Sequence, residues 1–306
     1  MSTIEPLLER FRRRDRTALA RLLTLIARGE QREAIRAALP RDPGPSRVVA
    51  VTGNGGVGKS TLVGQLIGVV RGRGRTVAVL ACDPESPLTG GALLGDRVRM
   101  PGHPEDPGVF IRSVTAAEGH EGIADDIDLM IRSLKAFPFD VVLVETAGVG
   151  QGDTAVRDLV DVVVLLVQPE AGDELQWQKA GLLEVADVVV VHKADLPGAE
   201  RTESEVRDLL NLPGCRPVPV LRASGGRGWG LDELWGVVES LPTRRPEERH
   251  DRRALLRLVQ QQLADRFGQM SIAVAPVLER WSRREVDDRE AADEVLKALI
   301  EGRTER

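Results

Sequence analysis

Five short runs of apolar, mostly β-branched residues recur along the middle of the chain, and longer mixed segments separate them. Apolar residues fill both alternating positions of each run, which is typical of strands buried on both faces of a parallel sheet. We also predict a sixth, less regular strand in "PVPVLRAS" (217–224). The five runs are "RVVAVTG" (47–53), "TVAVLAC" (76–82), "DVVLVET" (140–146), "DVVVLLV" (161–167) and "DVVVVHK" (187–193).

Helical spacing of apolar residues predicts helices between these strands. Strands that alternate with helices form repeated βαβ units, and such units build a parallel sheet with helices on both faces. The pattern therefore predicts an α/β fold with a doubly wound, mostly parallel sheet. The predicted helices cover 59–73, 200–210 and 231–240, and regions around 120–136 and 173–185.

Two proline-rich breaks divide the chain. Residues 1 to about 39 have helical spacing, and "PRDPGPS" (40–46) then ends the helical pattern because prolines and glycine cannot continue it. A second break, "LPTRRPEER" (241–249), precedes two or three further predicted helices. We predict an N-terminal helical extension (1–44), a central domain (45–242) and a C-terminal helical arm (243–306). The spacing leaves open whether the C-terminal helices pack on the central domain or form a dimerisation arm.

Composition narrows the class of protein. The chain has 306 residues, of which 42% are hydrophobic, and a formal net charge of −5. This composition supports a sizeable core and argues against both disorder and a dedicated nucleic-acid binder. No run approaches the roughly 18 apolar residues of a membrane span. With only two cysteines, the chain has no disulfide framework or cysteine-rich metal site, so we expect a reducing cytoplasm.

The stretch "GNGGVGKST" (53–61) matches G-x-x-x-x-G-K-[ST] between a predicted strand and a predicted helix. In such a loop the backbone N–H groups turn toward a phosphate at the helix N-terminus. We expect Lys59 to bridge the β- and γ-phosphates and the Ser60 hydroxyl to reach Mg²⁺. The predicted nucleotide-binding loop is Gly53, Asn54, Gly55, Gly56, Val57, Gly58, Lys59, Ser60 and Thr61.

Residues at the end of the 187–193 strand resemble the N-K-x-D motif with which GTPases recognise guanine. Asp195 would accept bonds from guanine N1–H and the 2-amino group, and the Lys193 stem would cover the base or ribose. His192 stands where asparagine is expected, and its ring could donate one bond to guanine N7 or O6 and is short enough to tie the loops together. Ala223 and Ser224 lie where a backbone N–H usually contacts guanine O6.

Acidic residues near the ends of two other strands are candidates for the Mg²⁺ shell, since Mg²⁺ takes oxygen ligands and few carboxylates. Glu145 ends the 140–146 strand, and Gly148 follows it as in a switch that senses the γ-phosphate. Glu145 would hold Mg²⁺ through water or orient the attacking water. Asp83 and Asp96 could also reach the metal. A turn-forming role for Asp83 and a solvated loop position for Asp96 remain alternatives.

With these motifs in place, the sequence resembles the MeaB/ArgK family of P-loop GTPases, chaperones of methylmalonyl-CoA mutase and related adenosylcobalamin-dependent mutases. The resemblance rests on "GVGKSTL", "DPESPLTGGALLGDRVRM", "VETAGVGQ" and "AGDELQWQKAGLLEVADVVVVHKAD". It implies a homodimer that binds a mutase, with GTP binding and hydrolysis gating adenosylcobalamin delivery and protecting the mutase. It also implies a partner-sensing switch containing Asp173, Glu174, Gln176 and Lys179.

Two other functions remain open at this point. A metallochaperone GTPase for another metal centre would need a metal-relay segment, and the four histidines are scattered at 103, 120, 192 and 250. A P-loop kinase or partitioning-type ATPase is the second alternative. Asn54 occupies the position of the signature lysine of partitioning ATPases, and Asp195 favours guanine.

Overall fold

The computed structural model describes residues 4–40, 43–84, 106–116, 126–148, 156–169, 181–213, 215–243 and 271–301, and the single positions 259, 263, 266 and 267. The strands are β1 (Arg47–Gly53), β2 (Val77–Pro84), β3 (Val109–Ala116), β4 (Val141–Glu145), β5 (Val162–Val167), β6 (Val188–Val191) and β7 (Val220–Arg222). The helices are α1 (Glu5–Arg12), α2 (Arg16–Ala27), α3 (Arg32–Ala38), α4 (Lys59–Gly72), α5 (Ile127–Ala136), α6 (Leu182–Val185), α7 (Ala199–Leu210), α8 (Leu231–Ser240), α9 (Ser271–Ser282) and α10 (Asp288–Glu301).

The strands form one seven-stranded sheet in the order β3-β2-β4-β1-β5-β6-β7, and every pairing is parallel. All residues of β4, β5 and β6 are buried, because helices cover both faces of the sheet. Two large apolar clusters fill these two faces, and a third lies beside β5 and β6. The predicted α/β fold with a doubly wound parallel sheet is confirmed.

Strand β3 lies at one edge of the sheet, and the sequence prediction missed it. The run "VFIRSVTA" is polar at Arg112, Ser113 and Thr115, so it lacks the continuous apolar character of the central strands. Helix α2 covers this edge: Arg16 donates hydrogen bonds to the carbonyls of Pro107, at 2.6 Å, and Val109. Pairing its carbonyls with an arginine is one way to protect an edge strand from pairing with another chain.

The N-terminal region predicted as helical consists of three helices. The backbone takes positive φ at Arg14 and Gln31, which separates α1, α2 and α3. Asp15 caps α2 by accepting hydrogen bonds from the N–H groups of Thr17, at 2.8 Å, and Ala18, at 3.2 Å. Apolar residues of these helices share a buried cluster with residues of the sheet.

Aspartates directly precede the strands β4, β5 and β6, and two of them, Asp161 and Asp187, are buried. Asp161 accepts a hydrogen bond from Val48 N–H at 2.8 Å, and Asp187 accepts one from Val163 N–H at 2.9 Å. Asp140 does the same for the chain entering β2. Each carboxylate therefore pairs a backbone donor at the amino end of the adjacent strand, which explains why "DVV" recurs at these strand starts.

The chain divides into two compact units, Met1–Arg244 and Arg245–Arg306. The domain boundaries predicted from the sequence stay a prediction. In the second unit, Trp281 Nε1 donates to Asp288 at 2.9 Å and Arg280 pairs with Glu294 at 2.9 Å, so these contacts join α9 and α10. Among the residues described, no helix combines the length and apolarity needed to cross a membrane.

Candidate nucleotide-binding site

The candidate site lies at the carboxyl ends of the central strands. In the sheet, β2 lies on one side of β1, whereas β5 and β6 lie on the other side of β1. In open parallel sheets, ligands bind in the crevice where the direction of winding changes in this way. The loop after β1, the end of β4 and the loops after β6 and β7 meet at this edge.

Lys59 begins helix α4 and points back into the loop that precedes it. Its Nζ donates to Gly53 O at 2.8 Å and to Asn54 O at 3.2 Å, and the residue is 7% exposed. Gly58 precedes it with φ +99°, in the left-handed region that favours glycine. The result is a helix N-terminus that presents its backbone N–H groups and one ammonium to the same small space, which suits a phosphate.

Ser60 and Glu145 meet next to this loop. Ser60 Oγ donates to Glu145 Oε1 at 2.6 Å, and Glu145 is 4% exposed at the end of β4. A hydroxyl beside a single buried carboxylate is an oxygen-donor set that fits Mg²⁺. The backbone of Asp83 belongs to the end of β2, two residues beyond Ala81, which pairs with Glu145.

Gly148 brings the chain after β4 against the phosphate-binding loop. Its φ is +74°, and a Cβ at this position would collide with Lys59 Nζ and lie 2.6 Å from Gly53 O. Only a residue without a side chain fits this approach. The structure thus brings Gly148 against Lys59, and Glu145 against Ser60 next to them, while their role as a γ-phosphate sensor stays a prediction.

Lys193 reaches from the end of β6 back to the phosphate-binding loop. The residue has φ +55°, and its Nζ donates to Gly56 O at 2.8 Å and to Gln168 Oε1 at 2.7 Å. The extended side chain of Lys193 therefore spans the space between the loop after β6 and the phosphate-binding loop. Sequence reasoning missed Gln168, and its position directly after β5 was the available signal.

Asp195 is oriented by the loop after β7. Ser224 Oγ donates to Asp195 Oδ1 at 2.5 Å, and Arg227 Nε lies 3.8 Å from Asp195 Oδ2. The hydrogen bond from Ser224 is the main cause that lowers the pKa of Asp195 below its ordinary value. The carboxylate is therefore ionised at neutral pH, which is the form that accepts two hydrogen bonds from a base edge.

The backbone N–H groups of Ala223 and Ser224, which were predicted to contact guanine O6, both bond to protein carbonyls in this structure, and their contact with a base stays a prediction. Ala223 N–H donates to Val191 O at 3.0 Å because it continues the pairing of β7 with β6. Ser224 N–H donates to Trp229 O at 3.0 Å because it closes the turn between these two residues. Both N–H groups are thus engaged within the protein, and Ser224 contacts Asp195 through its hydroxyl.

His192 joins the two loops, which is one of the two roles predicted for it. The ring lies 2.8 Å from Val57 O through Nδ1 and accepts from Gly225 N–H through Nε2 at 3.1 Å. The residue is 2% exposed. Burial is the main cause that lowers the pKa of the imidazole, and the charge of Lys193 lowers it further.

The structure leaves part of the predicted site outside the described residues. This applies to Asp96, to the side chain of Asp83 and to the predicted partner-sensing switch, Asp173, Glu174, Gln176 and Lys179. Within the ranges that the structure does describe, no group of three or more histidine, cysteine, aspartate or glutamate side chains could hold a metal ion.

A family comparison now identifies the lineage. A sequence model described as methylmalonyl-CoA mutase-associated GTPase MeaB matches residues 19–271. The chain belongs to the MeaB family. The resemblance stated from the motifs is thereby confirmed, and the P-loop GTPase character of the fold follows from it.

Relatives of this MeaB-family chain support the assignment. A protein of Pyrococcus abyssi named as a GTPase is 39% identical over 321 aligned positions, which cover 98% of each chain. A Nocardia farcinica protein named fused isobutyryl-CoA mutase is 40% identical over 204 residues, which cover 64% of this chain and 19% of that protein. A crystal structure titled LAO/AO transport system kinase shares the fold, with a TM-score of 0.64 and 22% identity over 97% of this chain and 98% of its own.

Proposed function

We propose that the chain binds and hydrolyses GTP as a chaperone that gates adenosylcobalamin loading of an acyl-CoA mutase and protects that mutase from inactivation. Membership of a family of mutase-associated GTPases supports the partner class. The identity to part of a protein named fused isobutyryl-CoA mutase supports it independently. The proposed partner is therefore an adenosylcobalamin-dependent acyl-CoA mutase, either methylmalonyl-CoA mutase or a relative.

The observation that carries GTP as the nucleotide is the ionised Asp195 held by Ser224. Guanine offers N1–H and a 2-amino group to a carboxylate, whereas adenine offers an acceptor at N1 and no 2-amino group. Adenine would set an acceptor against the carboxylate and give it no second donor, so adenine would be disfavoured at this position. Lys193, which spans from the base side to Gly56 O, would cover the base or ribose with its stem.

The phosphates would lie on the loop from Gly53 to Thr61. Lys59 would exchange its two carbonyl partners for β- and γ-phosphate oxygens, and the N–H groups at the start of α4 would bind the β-phosphate. Ser60 would hold Mg²⁺, with Asp83 and Asp96 as further candidate ligands, and Glu145 would either hold Mg²⁺ through water or orient the attacking water. Bound Mg²⁺ would neutralise charge that develops on the phosphate oxygens.

Hydrolysis is proposed to depend on the approach of Gly148 to Lys59. The chain after β4 would follow the γ-phosphate, and Glu145 would orient the attacking water from its buried position. GTP would favour one arrangement of this chain segment and GDP another. A mutase that binds one arrangement better must change nucleotide affinity by the same factor. The segment with Asp173, Glu174, Gln176 and Lys179 is proposed to report the partner.

We also propose that the protein forms a homodimer and lies in the cytoplasm. The C-terminal unit exposes large apolar side chains at Leu278, Trp281 and Leu296, which supports a homodimer formed through the helical arm. Cys82 and Cys215 are free thiols, which supports a reducing cytoplasm.

The deciding experiment measures GTP hydrolysis by the purified protein, alone and with a purified adenosylcobalamin-dependent acyl-CoA mutase. ATP serves as the nucleotide control, and Lys59→Ala serves as the variant that should not bind nucleotide. We expect slow GTP turnover that rises with the mutase and no ATP turnover. Turnover of ATP in preference to GTP would contradict the role of Asp195, and GTP turnover unaffected by the mutases tested would contradict the chaperone role for those partners.

A further inference from the structure

His192 occupies the first position of the base-recognition motif, where a direct contact to guanine was one expectation. Its two ring nitrogens contact partners of opposite character. Val57 O can only accept a hydrogen bond, so Nδ1 must carry a proton to bond it at 2.8 Å. Gly225 N–H can only donate, so Nε2 must be unprotonated to accept it at 3.1 Å. Together these bonds require a neutral ring with its proton on Nδ1.

We infer that His192 is a positioning residue that ties the phosphate-binding loop to the loop after β7 with Ser224 and Gly225, which we call the base-binding loop, and that it makes no hydrogen bond to the nucleotide. This inference rests on the proposed GTP-binding function. Both ring nitrogens are engaged by the protein, so the ring has no N–H left for guanine N7 or O6. Its contribution to binding comes from the fixed spacing between two halves of the site.

The neighbours of its two partners explain why this spacing matters. Val57 lies between Gly56, whose carbonyl holds Lys193, and Gly58, which precedes Lys59. Gly225 follows Ser224, which orients Asp195. One side chain therefore connects the backbone two residues before Lys59 to the backbone next to Ser224, which orients Asp195. A site held in this way is organised before the ligand arrives, and preorganisation raises affinity without a contact to the ligand.

Two glycines lie against the imidazole ring of His192. A Cβ on Gly58 would lie 2.7 Å from His192 Nδ1, and a Cβ on Gly225 would lie 2.9 Å from Nε2. Both loops therefore carry glycine where the imidazole approaches them. The charged groups that act on the ring are Lys193 and Asp195 from its own loop, whereas the phosphate-binding loop and the base-binding loop present backbone groups to it.

The first test reads the proton on the ring directly. Nitrogen-detected NMR of imidazole groups distinguishes a protonated ring nitrogen from an unprotonated one. The chain has four histidines, and loss of one signal in His192→Gln assigns the resonance of interest. At neutral pH we expect a protonated Nδ1 and an unprotonated Nε2. A ring protonated on Nε2 would overturn the inference whether or not the protein binds GTP.

The second test separates positioning from direct contact with the base. Dissociation constants are measured for GDP and for 7-deaza-GDP, which lacks the N7 acceptor, on the natural protein, His192→Gln and His192→Phe. Gln can keep an acceptor for Gly225 but has no donor at the Nδ1 position, whereas Phe removes both bonds. We expect Gln to weaken both nucleotides about 3- to 10-fold and Phe to weaken both further, because each internal bond contributes modestly.

Equal weakening of the two nucleotides excludes a contact to N7, and an unprotonated Nε2 in the GDP-bound protein excludes a contact from that nitrogen to O6. If His192→Phe weakened GDP and left 7-deaza-GDP unchanged, the ring would be contacting N7 and the inference would be wrong. Natural affinity in His192→Phe would also refute it. Failure of the natural protein to bind either nucleotide would instead defeat the proposed function, and the NMR result would still decide how His192 is protonated. The NMR result also decides the question if the Phe variant does not fold.

Discussion

Replacing Gly148 by alanine perturbs the place where the chain after β4 meets the phosphate-binding loop. The added Cβ would stand 2.6 Å from Gly53 O, and it would collide with Lys59 Nζ. The lysine tip can rotate away at little cost. The carbonyl of Gly53 cannot, because it ends the central strand β1, which pairs with β4 and β5 on its two sides.

The structure sets the size of this effect. Real Cβ contacts are essentially absent below 3.0 Å, so the segment around Gly148 must retreat by about 0.4 Å or more. Alanine at φ +74° also carries left-handed backbone strain of about 1–2 kcal/mol. If the segment does not retreat, overpacking adds about 1–3 kcal/mol to the loss of stability. If it retreats, the cost appears in function, since small misplacements of reacting groups cost about 10- to 100-fold in rate.

Gly74→Ala provides a matched control. Gly74 has the same φ of +74°, and nothing lies within 4 Å of where its Cβ would be. Both variants therefore carry the same backbone strain, and only Gly148→Ala carries the collision. The assays are urea unfolding, GDP affinity and single-turnover GTP hydrolysis. We expect Gly74→Ala to lose stability alone and Gly148→Ala to lose GTP hydrolysis as well, by a larger factor than it loses GDP affinity.

One result would refute this reasoning. If Gly148→Ala hydrolysed GTP at the natural rate and unfolded at the same urea concentration as Gly74→Ala, the close approach of Gly148 to Lys59 would not be part of the working state. The proposed role of this segment as a γ-phosphate sensor would then have to be abandoned.

Three other predictions test the fold and the base site. Asp161→Ala should lower the free energy of unfolding by about 1–3 kcal/mol in a urea titration, because it strands the Val48 N–H in the core, whereas alanine at the exposed Asp208 should change it by less than about 0.5 kcal/mol. Asp195→Asn should reduce the preference for GDP over ADP in competition binding, and an unchanged ratio would disprove the base-recognition role. The pKa of His192 is lowered in the folded protein. Between that lowered pKa and the ordinary value of 6.5, the unfolded chain binds more protons than the folded chain, so the free energy of unfolding should decrease as the pH falls. Unfolding at about pH 7.5 and about pH 5.5 should show a larger acid loss for the natural protein than for His192→Gln, and equal losses would count against a buried neutral ring.

Much of the site could be predicted because local sequence carries it. The phosphate-binding loop needs glycine, lysine and serine at fixed spacing within a few residues, so "GNGGVGKST" identifies it without any tertiary information. Lys193 and Asp195 follow a strongly apolar strand, and the carboxyl ends of parallel strands share one edge of a sheet. Their nearness to the loop therefore followed from the fold class.

The edge strand and the partners of the base site could not be predicted in the same way. Strand β3 is a strand because it pairs with β2 and is covered by Arg16, which lies 93 positions from the Val109 carbonyl that it binds. The backbone donors of Ala223 and Ser224 were expected to face a base, yet strand pairing and turn closure had already used them. Whether a backbone N–H group bonds within the protein depends on neighbouring residues whose positions cannot be predicted from the sequence alone.

The parallel α/β architecture, the phosphate-binding loop and the family could be predicted from the sequence of this chain, and Asp195 could be proposed as the base-recognising carboxylate. Periodicity and motif spacing act over short distances along the chain, which is why these features can be read there. The folded structure was needed to show that Ser224 orients Asp195, that Gly148 lies against Lys59 and that both ring nitrogens of His192 bond to protein groups. The bond from His192 to Val57 joins residues 135 positions apart in the sequence. The order of the strands in the sheet brings these residues together, and no local sequence pattern predicts that order.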